Sequence, residues 1–299
     1  MNPESEQWSE RADEPGKLNV LGVFLTVDGE ATGFHMGTWT VFVRLTGCRV
    51  GCRWCDTKYS WSIKQGELVT PPELSSLVME MMQGATKISI TGGEPLEQDS
   101  VALRTFVADM INRGFNVSME TSGTECMYDF SDWLSKNANR ARMSFVVDYK
   151  LPSAHALKPF MWPNYSNMDD WDVIKFVVGD SNDFEEMVKV ARHMRFLSHT
   201  TWKRGWMPRL VASPVVTDTP GSESKMTPFL LAESLKNHDD PICRQIGMNI
   251  QGHKYIWDDN ARDEEEGVKW EDVLADVRQS STNNESDLTA VQRGGLHHS

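Results

Sequence analysis

Residues 39–95 contain two β-rich runs, each of which leads into a loop suited to binding a ligand. The first run, WTVFVRL (39–45), is followed by TGCRVGCRWC (46–55), and the second, KISIT (87–91), is followed by GGEP (92–95). Apolar residues dominate both runs, as in parallel strands that are covered on both faces. Because ligands of parallel α/β folds bind beyond the carboxyl ends of the strands, the two loops are candidate parts of one site.

The alternation of β-rich runs and helical stretches continues from about residue 39 to residue 251. Repeated β-α units imply right-handed crossovers and a parallel sheet, either open or curled into a full or partial barrel. The other predicted strands cover residues 116–121, 143–150, 172–178, 208–213 and 248–257, and helices with an apolar face are predicted around 70–82, 103–111, 184–191 and 229–234.

Both ends of the chain differ in composition from the middle. Residues 1–18 are polar and acidic, and we predict a disordered N-terminal extension there. Residues 258–299 are predicted to be an acidic, largely flexible C-terminal extension with one short helix over residues 268–277. Residues 19–257 remain as one domain.

The charge balance restricts the classes of partner. The chain has 299 residues and a formal net charge of −13. An acidic surface repels phosphate backbones and anionic lipids, so the sequence argues against nucleic acid and membranes as partners. No run approaches the roughly 18–20 apolar residues of a membrane span, and the N-terminus does not resemble a secretory signal. These features predict a soluble, cytoplasmic protein.

Three of the five cysteines, Cys48, Cys52 and Cys55, form a C-x3-C-x2-C cluster directly after the first strand. This spacing suits thiolates that converge on one metal centre. Three thiolates leave tetrahedral zinc one ligand short, whereas on a cubane iron–sulfur cluster they leave one iron open for a further ligand. The spacing favours an iron–sulfur site, with zinc as the alternative. Cys126 and Cys243 are isolated and are interpreted as core residues.

The second loop, Gly92-Gly93-Glu94-Pro95, ends the KISIT strand. Two glycines let the backbone approach a ligand closely, and the Glu94 carboxylate can accept hydrogen bonds from an amine or a hydroxyl group. The same residues could form a simple turn, but their position at a strand's carboxyl end favours a functional role.

The cysteine cluster followed by T-G-G-E-P resembles the radical S-adenosylmethionine (SAM) superfamily. That resemblance implies a [4Fe–4S] cluster on the three cysteines, with SAM bound to its open iron. Gly29-Glu30, the F-x-R-L run at 42–45 and the C-D-T-x-Y-x-W run at 55–61 are similar to the 7-carboxy-7-deazaguanine synthase family, and the similarity covers residues 21–257.

The resemblance implies an incomplete parallel β/α barrel, a partial TIM-like barrel of about six strands, with residues 19–257 as the radical SAM catalytic domain. Members of the family convert 6-carboxy-5,6,7,8-tetrahydropterin to 7-carboxy-7-deazaguanine with ring contraction and loss of ammonia, and they require SAM and Mg²⁺. The implied partners are the pterin substrate, a flavodoxin-like electron donor and a second copy of the chain in a homodimer. The implied process is 7-deazapurine biosynthesis of the queuosine or preQ0 type.

The resemblance also implies a role for individual residues. Cys48, Cys52 and Cys55 hold the cluster, and the Thr57 hydroxyl contributes to the Mg²⁺ site. No side chain is assigned a catalytic role, because the cofactors perform the radical chemistry. The implied substrate contacts are Val27, Asp28, Gly29, Glu30, Arg44, Thr91, Gln251 and His253. The implied SAM contacts are Gly93, Glu94, Asp148, Tyr149, Lys150 and Ser213.

Two features depart from the family pattern. Asp28 stands where the family has glutamine, so the pterin edge meets a carboxylate rather than an amide. Residues 154–170, rich in proline, tryptophan and asparagine, resemble an insertion.

Two alternative functions stay open. A different radical SAM enzyme, such as a glycyl-radical activase, would act on a protein and would leave Arg44 and Gly29-Glu30 without a purpose. A non-enzymatic zinc module would use the same three cysteines, although it lacks a fourth ligand.

Overall fold

The computed structural model describes residues 15–200, 206–216, 225–252, 256 and 270–280. Its centre is a nine-stranded sheet with the order β3-β1-β2-β4-β5-β6-β7-β8-β9. Strands β2 and β4–β9 are parallel, whereas β1 is antiparallel to both of its neighbours. The strands are β1 Leu18–Val27, β2 Trp39–Leu45, β3 Glu67–Val69, β4 Lys87–Gly92, β5 Asn116–Thr121, β6 Met143–Tyr149, β7 Val173–Val178, β8 Arg209–Pro214 and β9 Gly247–Met248.

Helices cover one face of this sheet and bury the main apolar core against it. They are α1 Pro71–Met81, α2 Ser100–Asn112, α3 Tyr128–Asn137, α4 Ser181–Thr200 and α5 Pro228–Asn237. Helix α1 begins at a capping box, in which the Thr70 hydroxyl accepts from the Glu73 amide and the Glu73 carboxylate accepts from the Thr70 amide. No helix in the described part of the chain is long and apolar enough to cross a membrane.

The strands alternate between an apolar side and a polar side. In β4, Ile88 and Ile90 belong to the helix-covered core, whereas Lys87, Ser89 and Thr91 occupy the alternate positions. The polar side is concave. The evidence for this curvature is an ion pair of 2.5 Å between Lys175 of β7 and Glu30, which follows β1. Four strands separate β1 from β7, so a flat sheet would hold the two strands roughly 24 Å apart.

The sheet is a partial barrel whose open side is narrowed by two loops. The Gly252 amide donates to the Gly29 carbonyl over 2.8 Å, so the segments that follow β1 and β9 meet. Ala31 packs with Val146, Val173 and Val211, which form a small apolar cluster on the concave side of β6, β7 and β8. The predicted fold class, an incomplete parallel β/α barrel, is confirmed.

The sequence prediction omits β1, β3 and α3. Gly22 interrupts the apolar run of β1, and β3 is only three residues long. Helix α3 buries only Phe130 and Leu134, so its sequence has little of the apolar periodicity that reveals α1 and α2. The predicted last strand, over 248–257, is confined to Gly247–Met248 in the described residues.

Residues 270–280 form a helix, here called α6, that packs on the N-terminal part of the sheet. Leu274 is buried in the main core, and Trp270 approaches Gly22 of β1. Arg278 donates to the Glu73 carboxylate and to the Leu68 carbonyl, both over 2.9 Å. The short helix predicted over 268–277 is therefore present from residue 270 onward, where the described residues begin. The remainder of the predicted extensions, 1–14, 258–269 and 281–299, lies outside them.

We expect Leu274→Ala to lower the free energy of unfolding by about 2–4 kcal/mol, because it removes buried methyl groups and leaves a cavity under α6. Urea unfolding followed by circular dichroism measures the change. Glu271→Ala, at an exposed position of the same helix, is the matched control and should change the stability by less than about 0.5 kcal/mol. Equal stability of the two variants would show that α6 does not pack on the core in solution.

Candidate active site

The cysteine loop after β2 and the glycine loop after β4 are joined through their backbones. The Gly93 amide donates to the Leu45 carbonyl over 2.9 Å, and the Glu94 amide donates to the Gly47 carbonyl over 2.7 Å. A Cβ atom at Gly93 would lie 2.2 Å from the Gly47 carbonyl oxygen, so only glycine permits this approach. The structure thus places the two sequence motifs side by side at the carboxyl edge of the sheet.

The cysteine loop is also held by residues on either side of it. The Cys48 amide donates to the Trp61 carbonyl over 3.2 Å, and the Gly47 amide donates to the Ser60 carbonyl over 2.7 Å. The Cys55 sulfur lies 3.4 Å from the Thr57 hydroxyl, which brings the implied Mg²⁺ ligand next to the third cysteine.

The 151–162 segment, which includes the start of the predicted insertion, binds the cysteine loop from the opposite side. The Arg53 amide donates to the Ala154 carbonyl and the Leu157 amide donates to the Val50 carbonyl, each over 2.8 Å. Lys158 reaches across to Glu97 at 2.6 Å, just beyond the glycine loop. The insertion therefore connects the two motif loops.

Burial favours the protonated form of the free thiols. It raises the pKa of Cys48 to about 12 and also raises the pKa of Cys52. Such thiols become ligands only when a bound cation stabilises the thiolate, so cluster loading and proton release are coupled.

The donor set fits an iron–sulfur cluster better than a single ion. The loop supplies three thiols, whereas structural zinc takes four protein ligands. Thiolates on one zinc ion must all lie about 2.3 Å from it, whereas a cubane cluster takes each thiolate on a different iron. All five cysteines are free thiols, so the three in the loop are available for such a cluster. Cys243 is buried as predicted, but Cys126 is exposed, so the prediction that Cys126 is a core residue is wrong.

Glu94 connects the glycine loop to the end of β5. Its carboxylate is almost fully buried, and it accepts from the Thr121 hydroxyl over 2.6 Å and from the Ser122 amide and hydroxyl over 2.8 and 2.5 Å. Another hydrogen bond comes from the Leu96 amide over 3.2 Å. Burial raises the pKa of Glu94 despite these bonds. The chain itself thus occupies both oxygens of this predicted SAM contact.

Charged and polar side chains line the concave side of the sheet near its carboxyl edge. Arg44 and Thr91 are register partners on β2 and β4, and the Thr91 hydroxyl donates to Glu120 of β5 over 3.4 Å. Asp148 pairs with Lys150 at 2.9 Å and lies 3.8 Å from Lys175. The site therefore brings together predicted residues from β2, β4 and β6.

Three buried polar atoms on this side have no hydrogen-bond partner in the described structure. They are Arg44 Nε, Ser89 Oγ and Asp148 Oδ1. Leaving a buried donor or acceptor unpaired costs about 1–3 kcal/mol each, and most such groups in proteins are paired. A polar ligand on the concave side would satisfy them.

The predicted substrate residues after β1 form one buried cluster with the segment after β9. Gln251 donates to the Glu30 carboxylate over 3.0 Å, and Glu30 also pairs with Lys175. Asp28 forms an ion pair with Lys87 in which both side chains are almost fully buried. Gly29 accepts from Gly252, as described above, and Val27 is the last residue of β1.

The predicted contacts that remain are Ser213 and Tyr149, both assigned to SAM, and His253, assigned to the substrate. The Ser213 hydroxyl accepts from Asn249 over 3.0 Å, and Asn249 in turn accepts from the Ala31 amide over 2.9 Å. The Tyr149 ring lies among Phe160, Trp162 and Phe176 and packs against the main core, away from Asp148 and Lys150. His253 lies outside the described residues.

Sequence reasoning missed three charged residues on the concave side, the buried Lys87 and Lys175 and the half-buried Glu120. Burial raises the pKa of Glu120 to about 7; Lys175 opposes this shift, and Glu30 and Asp28 add to it. Burial alone would lower the pKa of Lys175, but Glu30 and Asp148 raise it. Lys87 and Lys175 could have been identified from the sequence, because each is a charged residue inside an otherwise apolar strand, KISIT and VIKFVV.

Comparison with known proteins places these features in a family. Residues 30–160, which include the cysteine loop and the glycine loop, match the family described as "4Fe-4S single cluster domain". A 7-carboxy-7-deazaguanine synthase of Leptospira interrogans is 30% identical over 264 residues, which cover 81% of this chain and 97% of the relative. The corresponding synthase of Prochlorococcus marinus is 31% identical over 247 residues, or 80% of this chain and 97% of the relative.

The crystal structure of QueE from Escherichia coli has a similar fold. It superimposes with a TM-score of 0.55 at 19% identity, and the match covers 83% of this chain and 97% of that one. This likeness concerns the fold alone.

Because folding raises the pKa of Glu120 from an ordinary 4.5 to about 7, this carboxyl contributes stability below pH 4.5 that is lost as the pH rises through 7. We expect Glu120→Gln to remove that part of the pH dependence, which amounts to roughly 3 kcal/mol at most. Urea unfolding under anaerobic conditions between pH 5 and 8 measures it. Glu80→Gln, at an exposed position of α1, should keep the wild-type slope, and an equal slope for Glu120→Gln would contradict the prediction.

Proposed function

The chain belongs to the family of 7-carboxy-7-deazaguanine synthases, and we propose that it converts 6-carboxy-5,6,7,8-tetrahydropterin to 7-carboxy-7-deazaguanine. The reaction contracts the pterin ring, releases ammonia and serves 7-deazapurine biosynthesis of the queuosine or preQ0 type. The observation that carries the proposal is the junction of the cysteine loop and the glycine loop above a concave surface of buried charges.

Cys48, Cys52 and Cys55 would hold a [4Fe–4S] cluster, and three cysteine ligands would leave one of its irons open for SAM. With both cofactors bound, the chemistry supplied is the reductive cleavage of SAM. Gly93 lies where the backbone passes closest to the cysteine loop, which suits contact with the amino acid part of SAM. Asp148, with one buried oxygen that lacks a partner, is suited to accept from the nucleoside part.

Arg44 binds the substrate carboxylate. Its guanidinium lies 5.0 Å from the centre of the Phe24 ring and 5.6 Å from the centre of the Tyr59 ring, and it donates to the Tyr59 hydroxyl. These contacts orient the planar group, while the buried Nε remains without a partner. A fixed arginine with an available donor suits a carboxylate ligand.

The cluster of Asp28, Glu30 and Gln251 binds the pterin ring. The ring's amino and amide N–H groups are donors, and carboxylates accept from such groups. Lys175 and Lys87 pair with Glu30 and Asp28 and so compensate the burial of both carboxylates. At the position where the family has glutamine, this chain therefore offers an acidic acceptor together with the neighbouring lysine.

The Thr57 hydroxyl, together with oxygens of the substrate, would hold the Mg²⁺ ion. A small, hard cation prefers oxygen ligands and keeps several waters, so one protein hydroxyl is sufficient. The position of Thr57 beside Cys55 supports this placement, because it brings the ion close to the cluster.

We propose that the enzyme has two protein partners, an electron carrier and a second copy of the chain, and that it acts in the cytoplasm. A flavodoxin-like protein delivers the electron that starts each SAM cleavage, and two copies of the chain form a homodimer. The enzyme acts in the cytoplasm, where the acidic, formally −13 chain would be readily soluble.

The direct test is anaerobic reconstitution followed by incubation with SAM, dithionite, Mg²⁺ and 6-carboxy-tetrahydropterin, with mass spectrometry of the products. We expect 7-carboxy-7-deazaguanine, and less of it when Mg²⁺ is omitted. Cys48→Ala should lose the cluster iron and the product, whereas Cys126→Ala, at an exposed cysteine outside the loop, should retain both. Deoxyadenosine without the product would refute the proposed substrate, and a colourless protein with stoichiometric zinc would refute the cluster.

We expect Arg44→Lys to raise the KM for the pterin by roughly 10- to 100-fold, because a point charge replaces a charge-assisted, two-pronged contact. Initial rates at varied pterin and saturating SAM measure the effect. The KM for SAM should change little. Arg113→Lys, in an exposed ion pair with Asp109 on α2, is the control, and an unchanged pterin KM in Arg44→Lys would exclude the assigned role.

A further inference from the structure

A buried carboxylate just after the glycine loop is hydrogen-bonded to the cysteine loop. Glu97 ends the short 3₁₀ helix Pro95–Glu97, and its side chain is fully buried. Its Oε2 atom accepts from the Arg49 amide over 3.1 Å, and its Oε1 atom accepts from Arg49 Nε over 3.2 Å. One carboxylate therefore holds both the main chain and the side chain of Arg49.

Arg49 is the residue next to the first cysteine of the loop. Its amide nitrogen belongs to the planar peptide group that joins it to Cys48, so the hydrogen bond to Glu97 fixes the position of that group. Burial raises the pKa of Cys48, and a hydrogen bond from the Val50 backbone opposes this rise. The position of the Arg49 peptide thus decides how the turn over residues 48–50 is arranged around the Cys48 sulfur.

Lys158, from the predicted insertion, compensates for the burial of the Glu97 carboxylate. It donates to Glu97 Oε1 over 2.6 Å, and it also donates to the carboxylate of Glu125. Three N–H donors, two from Arg49 and one from Lys158, therefore converge on the two oxygens of Glu97. Charge-assisted bonds in this number give a buried carboxylate one defined orientation.

The bonds to Glu97 differ in kind from the other supports of the cysteine loop. Cys48, Val50 and Arg53 are held through backbone groups on both sides of each bond. Such bonds are compatible with many side chains. The bonds from Arg49 require an acceptor side chain at position 97, so a single substitution can remove them and leave the backbone bonds in place.

We propose that Glu97 is a positioning residue for the iron–sulfur cluster, and that it acts by holding Arg49 and hence the Cys48 end of the cysteine loop. This inference rests on the proposed function, in which Cys48, Cys52 and Cys55 are the cluster ligands. Residues that orient metal ligands through hydrogen bonds change metal affinity by roughly 10- to 100-fold when they are substituted. A ligand on a loop needs such support more than a ligand on a strand does.

Glu97→Gln is the variant that tests the proposal. The glutamine amide has a similar size but offers one oxygen, and its NH₂ group would face at least one of the three N–H donors. Not all of the bonds to Arg49 and Lys158 can then persist. The measurement is the rate at which the anaerobically reconstituted holoenzyme loses iron to a chelator, without SAM or pterin. We expect iron release roughly 10- to 100-fold faster than in the wild type.

Glu125→Gln is the matched control. It makes the same change of charge at the other carboxylate that is bonded to Lys158, and it leaves both bonds between Glu97 and Arg49 in place. Iron release should change by less than about threefold, as for the loss of one partly exposed ion pair. Equal acceleration in the two variants would assign the effect to charge rather than to the position of the loop and would overturn the proposal.

A spectroscopic measurement separates positioning from a general loss of stability. Electron paramagnetic resonance of the dithionite-reduced cluster should show altered g values in Glu97→Gln and wild-type g values in Glu125→Gln, because the first variant moves a cluster ligand. Urea unfolding of the apo-proteins should give similar midpoints for both variants. A wild-type spectrum in Glu97→Gln would overturn the proposal even if its iron release were faster.

Arg49→Ala is a second variant, which keeps the Glu97 side chain and changes an arginine that is half exposed. It removes the Nε bond but retains the amide bond, so iron release should lie between the rates of the wild type and Glu97→Gln. Release as slow as in the wild type from both Arg49→Ala and Glu97→Gln would contradict the proposal. A wild-type protein that takes up no iron–sulfur cluster on reconstitution would instead refute the proposed function.

Discussion

The close approach of two backbones, at Gly47 and Gly93, is the constraint on which the site depends. Parallel pairing of β2 with β4 brings the ends of the two strands together, and the absence of a side chain at Gly93 lets the loops bond to each other. Glu94 then extends the connection to β5 through Thr121 and Ser122. Three neighbouring strand ends are thereby linked by hydrogen bonds, which define the position of the cysteine loop relative to the glycine loop. Precise placement of this kind is what a cofactor-dependent site requires.

The concave side of the sheet is built from charges rather than apolar groups, and this has an energetic cost. Burying an ion removes it from water, and a buried pair seldom recovers the whole loss. Two carboxylates on this side have a lysine beside them, Asp28 with Lys87 and Glu30 with Lys175. The ion pairs hold these charged side chains in place where little water reaches them. Asp148 Oδ1 and Arg44 Nε have no hydrogen-bond partner in the described structure and are available to a ligand. The buried charges thus lower the stability of the fold at the surface where a ligand must be recognised specifically.

The sequence predicts the helix-covered side of this fold far better than the concave side. Apolar periodicity reveals α1, α2 and most of the parallel strands, because the core-facing residues are spaced at regular intervals. The cysteine loop and the glycine loop can also be predicted from the sequence, because each contains its functional residues within a short stretch of the chain. The pair formed by Glu30 and Lys175 joins positions 145 residues apart, and no local pattern encodes such a contact. Its existence depends on the curvature of the whole sheet and on the antiparallel strand β1, which the sequence prediction omits.

The 151–162 segment has a consequence for the order in which the protein is assembled. Arg53 and Val50 of the cysteine loop are hydrogen-bonded to Ala154 and Leu157, about a hundred residues further along the chain. A chain emerging from the ribosome therefore presents its three cysteines long before it has made the residues that hold their loop. Domains fold as the chain is synthesised, from the N-terminus onward, so this interval is one in which the thiols are open to solvent and to oxidants. Insertion of the iron and sulfide is expected to follow, rather than precede, synthesis of the central strands.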